Sequence, residues 1–406
     1  MTSAARVRPQ MAVTVADIRA RAAALAADVG PSSAARDAER QLPFEIFRAV
    51  RSDRIGTLRV PAHLGGPGGS VADVIETVAA LAAGEPNVAH ALRSHFNFVE
   101  LAVATRGGAK PSVHLDRVLA GDLYAGAHTE RGTARAGEIA TRLSRTADGW
   151  RLNGVKHYAT GTAFADWASI SALDDDGQVR RVLLPVTRPG VRILDDWDGM
   201  GQRLTASGGV VLDDVAVFAD EIGTRPNDTF AGRHASTFRQ LYLAAVQAGI
   251  VRNVEADALA YVQRISRPIA HGHAATARED HFVQQAVGRI AAHRFAVDAL
   301  VAAAAAKLDQ AAVAIVDGIG DVDAILTDSA ATTAKAQTVI GRLALEAAEL
   351  IFDTGGATAT GRALNLDRHW RNIRTLLSHN PTAYKHKVVG DLLLNGTGLP
   401  VDGGFF

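Results

Sequence analysis

In "RTLLSHNPTAYKHKVVGD" (374–391) a histidine and an asparagine stand directly before a proline and a helical apolar pattern. Asn380 reads as an N-cap, Pro381 as a first-turn residue and Asn395-Gly396 as the far end of the helix. His379 would then lie at the positive end of a helix dipole, which disfavours imidazolium and favours an anionic oxygen. A neutral imidazole there can donate one N–H to a reacting oxygen or accept a proton. The same letters also fit a plain helix start, with His379 packed on the first turn. His386, between Lys385 and Lys387, reads as solvated. The "HGH" at 271–273 has no carboxylate or cysteine cluster beside it, so no metal site is expected.

The surrounding chain must position these groups. Its 406 residues suggest two or three packed units. Forty-three basic residues balance 43 acidic ones, which argues against a nucleic-acid partner. Cysteine is absent, so disulfides and thiolate chemistry are excluded. The N-terminus lacks a signal-peptide run, its first part reads as disordered, and "DALVAAAAAKL" is too short to span a bilayer. A cytoplasmic protein without a membrane partner is expected. No Walker motif or G-x-G-x-x-G is present, so the chain is not expected to bind NAD(P)H itself.

Three textures follow one another. Residues 12–120 are alanine-rich with helical spacing, as in "VADVIETVAALAAGE". Residues 121–226 turn to short β-branched and aromatic runs split by Asp/Gly turns. Residues 227–406 return to long helices whose broad alanine stripes suit burial on more than one side and predict a homo-oligomer.

This order resembles the acyl-CoA dehydrogenase superfamily over nearly the whole length. That likeness implies a mainly α fold with a helical N-terminal domain, a β-barrel middle domain and a C-terminal four-helix bundle. "YAGAHTERG" matches the flavin loop of the family and sets Thr129 beside the flavin. "NGVKHYATGTAFADW" matches Tyr158 and Thr160 to residues flanking the isoalloxazine ring. "WDGMGQRLTASGGVVLDDVAV" and "FDTGGATATGRALNLDRHWRNIRT" match two further stretches. Physically, Thr129 and Thr160 are hydroxyls able to bond the polar edge of a flavin, and Tyr158 or Trp197 could cover a ring face. Thr205 and Ser207 could add hydroxyls near a phosphate. The resemblance also sets Tyr242, in "TFRQLYLAA", among the cofactor contacts. Arg264 and Arg267 lie where the family sends an arginine across a dimer to a flavin phosphate, though either also suits a helix C-terminus. Taken singly, each of these residues reads equally as an ordinary strand hydroxyl, packed aromatic or helix-end cation.

The departures narrow the expectation. A dehydrogenase needs a carboxylate base, and the two positions that hold it in the family are Asn380 and Arg239 here. Phe352 replaces a glutamine that contacts the adenosine half of FAD, which favours FMN. "SHNPTAYKHKVVGDLLLNG" is instead similar to the flavin-dependent monooxygenase branch, of which dibenzothiophene monooxygenase is the best-known member. That branch takes reduced FMN from a separate NAD(P)H flavin reductase, reacts it with O2 to a C4a-hydroperoxyflavin and oxygenates sulfur, nitrogen or carbon. The likeness puts His379 and His95 in the pocket and Asn380 among the cofactor contacts. His95 also fits a satisfied core histidine. Leu376 and Val99 replace a histidine and a tyrosine of the dibenzothiophene enzyme, which makes the pocket less polar. The expected function is therefore a two-component FMNH2-dependent monooxygenase of a small organosulfur, amine or aromatic substrate, built as a homotetramer. An FAD-dependent acyl-CoA dehydrogenase with a displaced base and an inactive binding protein are the alternatives.

Overall fold

Thr14 opens the first helix through a reciprocal capping box with Asp17, and Ser70 does the same with Asp73. In the computed structural model, residues 13–106, 112–135, 137–224, 228–264 and 266–401 are described. The expected disordered N-terminus and the unit limits at 12, 226–227 and 406 fall outside them. The first helices are α1 (Val15–Val29), α2 (Ser33–Glu39), α3 (Phe44–Ser52), α4 (Val71–Gly84), α5 (Pro86–Ala91), α6 (Arg93–Arg106) and α7 (Val113–Ala120).

The β-rich stretch follows as β1 (Tyr124–Ala127), β2 (Arg142–Thr146), β3 (Gly149–Lys156), β4 (Trp167–Leu173), β5 (Val179–Pro185), β6 (Val191–Ile193), β7 (Val210–Val217) and β8 (Ile222–Thr224). These strands form one sheet ordered β6-β7-β3-β2-β4-β5-β8, with β1 parallel to β4. The barrel expected here is thus a middle sheet domain whose described ladder runs from a β6 edge to a β8 edge. Its core includes Leu143, Leu152, Ile170, Val182 and Leu212.

Then come α8 (Phe230–Arg264), α9 (His281–Asp317), α10 (Val322–Leu350), α11 (Gly356–Ala359), α12 (Arg368–Leu377) and α13 (Thr382–Asn395). Helix α8 buries residues on every side, among them Phe238, Leu241, Tyr242, Ile250 and Val254, because α4, α6, α9 and α10 all pack on it. The "DALVAAAAAKL" run lies inside the 37-residue α9, which by length and composition could cross a membrane. The shortness of the run was therefore the wrong argument. Burial of Ile290, Val297, Val301, Ala304 and Leu308 in the bundle core, against α8 and α10, is what accounts for its apolar face.

Two terminal details differ from the sequence reading. Helix α13 starts at Thr382 with Pro381 as its cap residue and no side-chain cap, so Asn380 does not cap it. The far end is as expected: Gly396 closes it in the left-handed conformation, with φ 67°.

Candidate active site

The sheet meets the helices along residues 157–162 and 202–209. Ala159 N–H donates to Gly208 O, and Gly161 N–H donates to Thr205 O. Gly161 is needed here, since a Cβ would fall 2.5 Å from Ala91 O at the end of α5. Asn87 on α5 accepts from Leu204 N–H (3.1 Å), and Asn372 on α12 accepts from Gln202 N–H (2.6 Å). The loop is thereby tied to both helical regions.

Three hydroxyls line up on this junction. Thr160 Oγ1 lies 2.7 Å from Ser207 Oγ, which lies 2.7 Å from Thr205 Oγ1, which donates to Gln202 O (2.8 Å). Trp197 Nε1 donates to the same carbonyl (2.8 Å), and its ring meets Tyr158 edge-on at 6.1 Å. Tyr158, Gln202 and Ala206 all hold positive φ, a costly backbone for residues with side chains. Bonds to both the N–H and the carbonyl of Gln202 hold it in that conformation. Thr129 joins from the β1 side, bridging His157 through backbone pairing (2.8 Å). The neighbouring Glu130 pairs with the buried Lys156 and anchors that loop. The expected residues Thr129, Tyr158, Thr160, Trp197, Thr205 and Ser207 are therefore brought together.

Gln202 carries this chain into the helices. Its Oε1 lies 3.1 Å from Nδ1 of the buried His90 at the end of α5. Arg93 begins α6 three residues later and contacts His379 Nε2 through Nη2 at 3.0 Å. Arginine can only donate, so Nε2 accepts and the His379 Nδ1–H donates to Asn380 Oδ1 (3.0 Å). Asn380 Nδ2 in turn donates to Gln240 Oε1 on α8 (2.5 Å). Partner logic thus assigns His379 a neutral Nδ1–H tautomer, and Arg93 holds the nitrogen that would otherwise face a ligand. Tyr242 is fully buried, with its hydroxyl on Ala89 O (2.8 Å), so its packing fixes α5 on α8.

The cluster is cationic in character. Part of the His379 surface is open, yet desolvation, then Arg93 and His90, hold its imidazole well below the ordinary range; Arg239 adds to this and Asn380 opposes it. The neutral form anticipated from the helix dipole is therefore correct in direction but has a different cause. Burial and then Arg93 push His90 down to about 3. Burial pushes the Arg93 guanidinium down to about 10, opposed by Tyr242. Asn380 and Arg239, the two positions where a dehydrogenase would carry its base, both act on His379.

His95 is the main correction. Tyr124 N–H donates to its Nδ1 (3.3 Å), so its Nε2–H donates to Gly56 O (2.9 Å). Burial holds it down to about 4, and a Cβ on Gly56 would lie 2.5 Å from Nε2. The ring is a fully satisfied core group, and Val99 beside it is buried as well. Arg264 and Arg267 are exposed at the far end of α8, about 36 Å along the helix from Gln240, so one chain does not bring them to the cluster. His271 and His273 are exposed in the loop between α8 and α9, and His386 is exposed on α13.

The residues that sequence reasoning missed are His90, Arg93 and Gln202. A signal existed in "EPNVAHALRSHF": Pro86 starts one short helix, and a second begins at Arg93, so His90 and His95 do not share one helical register. Arg93 Nε, His90 Nε2 and Gln202 Nε2 are all buried without a hydrogen-bond partner. Such orphans mark where a bound molecule completes the site.

A sheet wedged between helical units, with a hydroxyl row and two aromatics leading into a donor cluster, defines a flavoenzyme-type cleft. Comparison with known proteins agrees. The acyl-CoA dehydrogenase middle-domain model matches residues 125–215, and the C-terminal-domain model matches 241–384. A dibenzothiophene monooxygenase of Mycolicibacterium goodii is 28% identical over 85% of this chain and 86% of its own length. A probable FMNH2-dependent monooxygenase, SfnC of Pseudomonas putida, is 28% identical over 91% of this chain and 93% of its own. The crystal structure of FMN-bound TdsC from Paenibacillus sp. A11-2 superposes with a TM-score of 0.86 at 26% identity, covering 96% of this chain and all of that one. The chain belongs to the acyl-CoA dehydrogenase superfamily, in its flavin-dependent monooxygenase branch.

Proposed function

We propose that the protein is the oxygenase component of a two-component FMNH2-dependent monooxygenase that oxidises a small organosulfur compound. The observation that carries this reading is the cluster at the end of the hydroxyl row: Asn380 and Arg239 stand at both dehydrogenase base positions, and His379, His90 and Arg93 surround them. Without a carboxylate there, the site lacks the group that removes a proton α to a thioester. Its polar groups suit holding oxygen atoms instead.

Reduced FMN, when bound, supplies the two electrons that divide O2 between product and water. Tyr158 and Trp197 would cover the ring, and Thr129, Thr160, Thr205 and Ser207 would bond its polar atoms. The unpaired Gln202 Nε2 fits the same polar edge or a ligand beside it. Arg93 donates at the reacting end, and His379 positions it through Nε2. With no nucleotide motif in the chain, electrons come from NAD(P)H through a separate flavin reductase. Burial of α9 in the bundle supports a cytoplasmic enzyme. Phe282 and Phe295 on α9 are each 78% exposed, which supports assembly through the bundle as a homotetramer, with Arg264 and Arg267 reaching a partner's flavin phosphate. The units are taken as 12–120, 121–226 and 227–406.

Supplying FMNH2 and 18O2 with a panel of sulfur compounds tests the reading. One labelled oxygen should enter the product, with little hydrogen peroxide released. Complete conversion of O2 to peroxide with every compound would sink it. Replacing His379 by Ala should cut oxygen transfer about a hundredfold while changing FMN affinity by less than about threefold, since one positioned donor contributes on that scale.

A further inference from the structure

Every buried arginine near the core of this protein answers to a carboxylate except one. Arg59 pairs with Glu100, Arg188 with Glu221, Arg368 with Asp257 and Arg371 with Asp37. Arg93 has no such partner: its Nη2 rests on an imidazole and its Nε on nothing. A buried cation without an anion is costly, and such charges are otherwise paired or solvated by ligand. Gln202 Nε2 is a second buried donor without an acceptor, and the strained backbone of Gln202 holds it there. His90 stands between the two, bonded to Gln202 by one nitrogen and one short step from Arg93 along the chain.

We propose that the substrate is a small organosulfur oxyanion, of the alkanesulfinate class, with one oxygen on Arg93 Nε and another on the Gln202 amide. The proposal rests on the oxygenase reading above and specifies its substrate. A neutral sulfur heterocycle offers these donors no acceptor and leaves the guanidinium charge uncompensated. A sulfinate has two oxygens to share between them and a lone pair on sulfur still open to oxidation. His90 Nε2 becomes a third donor once the anion raises the proton affinity of that ring. The flavin-facing hydroxyls occupy the opposite end of the hydrogen-bonded chain, beyond Thr205. The reaction balances as RSO2− + FMNH2 + O2 giving RSO3− + FMN + H2O: one oxygen forms the new S–O bond, and the other leaves as water with the two hydrogens of FMNH2.

The test begins with binding, independent of turnover. Calorimetric titration of the FMN-loaded protein with methanesulfonate, which cannot be oxidised further, should give saturable binding. Arg93→Gln should weaken it at least thirtyfold and Arg93→Lys about fivefold, with the FMN dissociation constant within threefold of wild type. Absence of methanesulfonate binding to wild type overturns the proposal. So does a loss of FMN affinity in Arg93→Gln equal to the loss of methanesulfonate affinity, which would make Arg93 a flavin residue. Should Arg93→Gln not fold, the fivefold loss in Arg93→Lys carries the same decision. With FMNH2 and 18O2, label in the sulfonate from ethanesulfinate and none in dibenzothiophene supports it. Label only in the neutral sulfide overturns the substrate class and leaves the oxygenase reading standing. Peroxide alone from both defeats the oxygenase reading itself.

Discussion

Helix α6 carries two charged groups about two turns apart, and their surroundings are opposite. Glu100 is fully buried and receives Arg59 through Nε (2.6 Å) and His234 Nε2 (2.7 Å). Arg93, at the first turn, is buried among imidazoles with one nitrogen unpartnered. The first arrangement holds α6 to α8 and to the N-terminal chain. The second has no structural return, since nothing in the fold neutralises it. A satisfied buried charge is architecture, and an unsatisfied one marks a place kept for a ligand.

The sharpest way to break this contrast is to remove one partner from each end and compare stabilities. Glu100→Gln strands Arg59 in the interior and should cost about 3–5 kcal/mol in denaturant unfolding. The pH profile should show the same group. Burial alone would raise the Glu100 carboxyl, but Arg59 and then His234 bring it down to about 2. Its folded value lies below its unfolded value, so its contribution is complete above about pH 4.5 and is lost as pH falls toward 2. Stability on the order of 3 kcal/mol should disappear across that window in wild type and be missing from the Glu100→Gln profile. His95 belongs with Glu100 rather than with Arg93. His95→Ala leaves Gly56 O and Tyr124 N–H unsatisfied and should cost about 2 kcal/mol, while FMN affinity changes little; a selective loss of oxygen transfer would return His95 to the site. The smallest stability change is expected at Arg93. Arg93→Gln removes an uncompensated charge and should leave stability within about 1 kcal/mol of wild type, or raise it. A loss as large as that of Glu100→Gln would mean that Arg93 is architecture too.

Two histidines in "VAHALRSHF" show why the site was only partly readable. They are five residues apart, about 140° around an unbroken helix, and nothing in the letters says which one faces a cleft. The resemblance favoured His95. Packing decided otherwise: Gly56 lets its carbonyl approach His95, and the break at Leu92 turns His90 toward Gln202. The Asn380 reading failed for a related reason. An asparagine before a proline is a good local cap, but Gln240 on α8 and the His379 ring compete for its amide and win.

By itself the sequence determined the order of helices, strands and helices, the hydroxyls at 160, 205 and 207, the glycine that ends α13, and the lack of a carboxylate at 380 and 239. These follow from periodicity, turn chemistry and side-chain identity, which are local properties. The tertiary structure decided which nitrogen of each histidine is free, that His95 is core and His90 is not, and that Arg93 meets His379 across 286 residues of chain. Those outcomes depend on which helix faces pack together and on what remains unpaired once they do.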